Sequence, residues 1–160
     1  MLHACVRAHQ RKSQGKQVHK LRVRTADAAQ AFLQGKQPEG IRPTIVRPPP
    51  GFRQFDRRGV PIVWRLKGNC YGTCTAPRVW YDSLMPVLLD PKGLNYNQSE
   101  VDPCYAYKIY PDGTRSDIAI FVDDVWAIDD AGPLADADWA ELNKSYQFTV
   151  EPVAKHFLNL

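Results

Sequence analysis

Hydrophobic and polar positions change period several times along the chain, and each change marks an element. Residues 21–35 open on an apolar-basic alternation carried by Leu21 and Val23. They pass into Asp27-Ala28-Ala29-Gln30-Ala31-Phe32-Leu33, which predicts a strand ending in a helical turn closed by Gly35. Residues 44–46 fit a short strand, stopped by Pro48-Pro49-Pro50-Gly51. From Val60 the alternation is clean, with Val60, Ile62, Trp64 and Leu66 on one side and Arg65 and Lys67 on the other, the pattern of a half-buried strand. Residues 76–90 take helical spacing, with Pro77 in the first turn and a stripe of Trp80, Leu84, Val87 and Leu88, and Pro86 is expected to kink the helix.

In the second half, Tyr105, Tyr107 and Ile109 alternate with Ala106 and Lys108. Pro111-Asp112-Gly113 supplies a turn, and a second apolar run extends from Ile118 to Val122, so a hairpin is expected. A third run, Val125 to Ile128, follows after only Asp123 and Asp124. Beyond Asp130, read as an N-cap, and Pro133, a helix carries Trp139, Leu142 and Tyr146 on one face. Hairpinned strands and helices on one short chain predict an α+β fold, an antiparallel sheet with helices packed on one face.

Composition narrows this picture. A chain of 160 residues with 44% hydrophobic positions has material for one core and excludes a large multidomain machine. No window approaches the roughly 18 consecutive apolar residues of a membrane helix, and the first twenty residues lack a signal-peptide core, so no membrane role and an intracellular location, cytoplasmic or nuclear, are expected. Cys5, Cys70, Cys74 and Cys104 read as reduced thiols, because neither a disulfide framework nor paired zinc-ligand spacing is present.

Charge is distributed unevenly. Residues 1–26 hold seven Lys/Arg, three His and no acid, and residues 36–92 hold ten Lys/Arg against four acids. Residues 100–151 reverse the balance, with twelve acids against Lys108, Arg115 and Lys144. The basic half suits a polyanion such as nucleic acid. An acidic cluster near a polyanion is unfavourable unless it is remote or holds cations that invert the local charge.

Asp123-Asp124 is the sharpest candidate for such a cation site. Adjacent acids between two apolar runs repel each other, and burial raises the cost. A hard divalent ion such as Mg²⁺ relieves both, and Asp27, at the end of another strand, offers a third carboxylate. Three acids suit two-metal nucleotidyl or phosphoryl transfer, polymerase or nuclease. The competing reading is an ordinary Asp-rich turn. Asp129-Asp130, beside Gly132-Pro133, is assigned to helix capping.

Phe121-Val122-Asp123-Asp124 in its apolar frame resembles the aromatic-x-Asp-Asp signature of reverse transcriptases, and its neighbours resemble the copia-type retrotransposon family. Asp27 with Ala31-Phe32-Leu33 and Gly35 is similar to that family's first catalytic motif. Arg47-Pro48-Pro49-Pro50-Gly51-Phe52, Val63-Trp64-Arg65-Leu66-Lys67, Tyr71-Gly72, Ala76-Pro77-Arg78, Trp80-Tyr81-Asp82 and Asp102-Pro103-Cys104 follow in family order, and Phe157-Leu158 resembles the start of a Phe-Leu-Gly element. The likeness covers residues 17–160 and leaves 1–16 as a basic arm, expected to be poorly ordered.

The resemblance implies a palm-like polymerase domain, truncated, with fingers incomplete and the thumb absent. It makes Asp27, Asp123 and Asp124 the catalytic and metal-binding triad for two Mg²⁺ ions, with Mn²⁺ as a substitute. It assigns nucleotide contacts to Phe32, Phe121 and Arg78, with Phe32 as the ring excluding a ribose 2′-hydroxyl. A core role for Phe32 and a helix-surface role for Arg78 stand beside these. The implied partners are an RNA or DNA template-primer, deoxynucleotides and the remainder of a retroelement polyprotein. Thr73-Cys74-Thr75 departs from the family's Leu-Lys-Gln, removing a cation and an amide. An inactive remnant that binds nucleic acid or a partner protein is therefore a second expectation, and a metal-dependent nuclease a third.

Overall fold

The computed structural model describes residues 20–35, 40 and 42–151. Strand β1 (Arg22–Ala28) leads into a single-turn helix α1 (Ala31–Gln34). Strands β2 (Ile45–Val46) and β3 (Trp64–Arg65) pair as a separate small sheet, and helix α2 (Ala76–Leu89) follows. Then come β4 (Asn97–Gln98), β5 (Tyr105–Ile109), β6 (Arg115–Phe121), β7 (Asp124–Asp129), helix α3 (Pro133–Ser145) and β8 (Phe148–Glu151). The main sheet has the order β4-β5-β6-β7-β1-β8, with every neighbouring pair antiparallel. It is an α+β fold with its helices on one face, as the pattern predicts.

The side chains explain why both helices choose that face. Ala26, Ala28, Ala106 and Ala127 present small surfaces on the covered side, and Trp80, Leu84 and Leu88 of α2 join Trp139 and Leu142 of α3 above them in one buried cluster. Small groups on the sheet leave the volume that the large helical side chains occupy. Each buried leucine contributes roughly 1.5–3 kcal/mol relative to exposure. Gly35 belongs to the same packing, since a Cβ there would lie 3.4 Å from the Trp80 backbone. Helix α2 runs on through Pro86, which lies on its exposed side, so the proline does not end it.

Two expectations are corrected. The clean alternation from Val60 does not make a half-buried strand. Trp64 and Arg65 alone form a strand, paired with Val46 and Ile45, Pro61 makes an isolated bridge to Phe55, and Val60, Ile62 and Trp64 remain 55%, 39% and 41% exposed. Alternation specifies a buried face only where a second layer covers it, and none of the described elements packs over this arm. Asp130 does not cap α3 either, because the cap position is Gly132. Asp129 and Asp130 are instead fully buried. Asp129 accepts hydrogen bonds from Arg22 Nη2 at 2.8 Å and Arg24 Nε at 3.1 Å, and Asp130 Oδ1 accepts from the Arg115 backbone N–H at 2.6 Å.

Arg22 and Arg24 therefore belong to the fold rather than to a free cationic arm. Asp136 of α3 closes the network, 2.8 Å from Arg24 Nη2. Cys70, Cys74 and Cys104 are free thiols. The basic arm expected over residues 1–16, Cys5 and Phe157-Leu158 lie outside the described residues.

Candidate active site

Strand register brings the first and last candidate acids together. Asp27 and Asp124 are direct cross-strand partners in the antiparallel β1–β7 pair. Such partners have Cα atoms roughly 4.5–5.5 Å apart and side chains on the same side of the sheet. Ala26, Ala28 and Val125, their sequence neighbours, face the helices, so Asp27 and Asp124 stand on the opposite, open face. Asp123 is next in the chain, in the two-residue loop Val122-Asp123 that joins β6 to β7. Its carbonyl accepts a 3.0 Å hydrogen bond from the Ala28 N–H, which ties the loop to the end of β1.

Electrostatics register the crowding. The Asp124 carboxyl is held above the ordinary carboxylate range, first by burial and then by the charges of Asp123 and Asp27. A cation is the natural counterpart of such a set, and carboxylate oxygens are the donors that Mg²⁺ and Mn²⁺ prefer. The donor chemistry fits a hard divalent ion. Among the described residues, however, no three His, Cys, Asp or Glu side chains are gathered tightly enough to hold one.

The loop itself is held under tension. Val122 has φ 57°, a left-handed conformation that a β-branched residue adopts only at a cost of about 1–3 kcal/mol. From the helix side, the buried Trp80 indole Nε1–H donates to the Val122 carbonyl at 2.7 Å. Sequence reasoning placed Trp80 in the core stripe, which it occupies, and missed this second role because nothing in the spacing pairs an indole with a distant turn.

The three candidate nucleotide contacts are placed differently. Phe121, the cross-strand partner of Asp124, is 57% exposed on the open face beside the acids. Phe32 is half-buried on α1, packs against the core and meets the Tyr71 ring at a tilt, with centroids 4.8 Å apart. Arg78 lies on the exposed side of α2, its Nε bonded to Asp82 at 2.8 Å and its guanidinium over the Tyr81 ring. That is the helix-surface placement.

With this geometry in view, comparison with known proteins is informative. The family model described as Reverse transcriptase (RNA-dependent DNA polymerase) matches residues 10–160. The chain belongs to that family. It is 30% identical over 130 residues, 79% of its length, to the "Retrovirus-related Pol polyprotein from transposon TNT 1-94" of Nicotiana tabacum. It is 29% identical over 134 residues, 84% of its length, to the "Putative transposon Ty5-1 protein" of Saccharomyces cerevisiae. The matched region spans 9% of the first relative and 41% of the second, well under half of either. No solved structure matches. Among the described residues no helix is long and apolar enough to cross a membrane.

Proposed function

We propose that the chain is part of a copia-type reverse transcriptase, a palm-like domain whose reaction is template-directed addition of deoxynucleotides to a primer 3′ end. The carrying observation is the register that sets Asp27 opposite Asp124, with Asp123 adjacent. In this reading Asp27, Asp123 and Asp124 hold divalent ions. Two ions held there would supply activation of the primer hydroxyl and charge neutralisation on the leaving group. The chain's own contribution is positional. β1 and β7 fix two carboxylates on a shared face, the Ala28–Asp123 and Trp80–Val122 bonds fix the loop, and Phe121 offers an exposed ring beside them for the substrate. The template-primer and deoxynucleotides are the partners this reading requires.

A second reading, a remnant that binds nucleic acid without chemistry, is favoured by Thr73-Cys74-Thr75 and by the absence of a gathered three-residue metal set among the described residues. Primer extension on an RNA template with Mg²⁺ or Mn²⁺ separates the two. The polymerase reading expects incorporation by the native chain and none above background from Asp123→Asn. Incorporation that persists in the variant removes the assigned site, and a native chain that binds template without extending it supports the remnant.

A further inference from the structure

The loop between β3 and α2 brings together two thiols that the carboxylate site does not use. Cys70 and Cys74 both lie in it as free thiols, the first half-buried and the second exposed. Two consecutive turns fold the segment back on itself. The Thr73 N–H donates to the Cys70 carbonyl at 3.2 Å, and the Ala76 N–H to the Thr73 carbonyl at 3.1 Å. Gly72, at φ 88°, supplies the left-handed residue of the first turn. Side chains close the mouth of the loop, with the Thr75 hydroxyl 3.4 Å from Asn69 Oδ1. Cys70 and Cys74 stand one residue inside that closure, one on each limb.

This curvature decides what the pair can do. Residues four apart on an extended segment lie about 13–14 Å from each other. A β-turn brings its first and last Cα atoms within about 7 Å, close to the roughly 4.4–6.8 Å that a disulfide spans. Cys104 has no such setting, and burial, followed by the charge of Asp102, pushes its thiol up, which leaves little thiolate to react. Cys74 is also the centre of Thr73-Cys74-Thr75, the segment that departs from the family's Leu-Lys-Gln. Between the two thiols, Tyr71 sets its ring against Phe32 of α1, with centroids 4.8 Å apart. The shape of the loop is thereby passed to the helix that follows β1 and its Asp27.

We propose that Cys70 and Cys74 form a redox-sensitive pair, which a low-molecular-weight disulfide of the glutathione class converts into an intraloop disulfide that locks Tyr71 against Phe32. The exposed Cys74 thiolate attacks one sulfur of the small disulfide and releases one equivalent of its thiol, leaving a mixed disulfide. The Cys70 thiolate then attacks the Cys74 sulfur and releases the second equivalent. The protein gives up two electrons and two protons, and the small disulfide takes them up to become two thiols. The pair is independent of any chemistry at Asp27, Asp123 and Asp124.

The test is equilibration of the full chain in mixtures of oxidised and reduced glutathione, then acid quenching, alkylation and mass spectrometry of tryptic peptides. Residues 68–78 form one such peptide, which holds both cysteines of the pair and neither of the others. It loses two hydrogens and carries no glutathione. The equilibrium constant for that oxidation is at least roughly tenfold larger in the native chain than in the chain unfolded in urea, a difference of about 30 mV in reduction potential. Cys70→Ser accumulates glutathione on Cys74, since no second thiol resolves it, and Cys104→Ser leaves the constant unchanged. Amide exchange at Tyr71 slows on oxidation while circular dichroism stays native. Equal constants in the native and unfolded chains overturn the proposal. So do stable glutathione adducts on both cysteines, a bridge to Cys5 or Cys104, a disulfide-linked dimer, or loss of the native fold on oxidation.

Discussion

Asp129→Ala lowers the stability of the domain by about 3–5 kcal/mol, enough to bring a domain of ordinary stability to the edge of unfolding. Asp129 is 1% exposed and lies between two guanidinium groups, Arg22 on one oxygen and Arg24 on the other. Removing the carboxylate leaves Arg24, itself 6% exposed, as a charge in a dry setting with only Asp136 to answer it. The loss comes from that stranded charge more than from the value of the pair, because a well-packed apolar replacement of both partners is often neutral. Urea unfolding reads the change directly, and the thermal midpoint drops by roughly 10–20 °C. Arg24→Met in the Asp129→Leu background recovers most of the loss if stranded charge is the cause, and a wild-type midpoint in Asp129→Ala refutes the network's role. The same network sets acid sensitivity. Burial opposes the charge on Asp136, but hydrogen bonds from Arg22 and Arg24 outweigh it and hold the carboxyl below its ordinary value. A folded value below the unfolded one stabilises the native state above the unfolded pKa, and that stabilisation disappears as pH falls through the folded one.

Trp80→Ala costs about 3–5 kcal/mol through the cavity it opens. Trp80 is 1% exposed and packs edge-to-face on Tyr146 at 5.1 Å and near Phe148 at 6.3 Å. Trp80→Phe is the more telling variant, since the aromatic packing survives and the indole N–H is lost. The Val122 carbonyl then loses its 2.7 Å donor. The stability cost falls to about 1–2 kcal/mol, from one half-buried acceptor left without its donor and a small cavity. Amide exchange in the Val122-Asp123 loop, and at Ala28, whose N–H bonds the Asp123 carbonyl, speeds up beyond what the global loss explains. Unchanged exchange there means that Trp80 fills space and does not hold the loop.

Local pattern made the β6–β7 hairpin legible because its apolar flanks are long and only two acids interrupt them, although the loop falls on Val122-Asp123 and Asp124 already belongs to β7. It made α2 legible because Trp80, Leu84 and Leu88 recur at helical spacing and are buried together. The arm at Val60 misled because alternation records a two-sided strand without recording whether anything covers it. In β1 the alternation left open which set faces the helices. The structure turns Arg22 and Arg24 inward, where Asp129 and Asp136 answer them, and leaves Val23 on the open face. A charge pair across such a distance in sequence has no local signature, so Asp129 and Asp130 looked like a cap. The meeting of Asp27 with Asp124 is likewise a property of strand register: the chain pattern offered Asp27 as a third carboxylate at a strand end, and the family resemblance assigned it to the triad, but neither fixed the pairing.

Divalent binding at that meeting point is the decisive measurement. Mn²⁺ titrated into the full chain and followed by electron paramagnetic resonance should bind, weaken at least tenfold in Asp27→Asn, and weaken as pH falls through the raised folded value of Asp124, since the ion competes with a proton there. Asp102→Asn, a surface acid remote in sequence from the triad, leaves binding unchanged. Mn²⁺ binding that is indifferent to Asp27→Asn, or no binding by the native chain at neutral pH, contradicts a metal site shared between β1 and the β6–β7 loop.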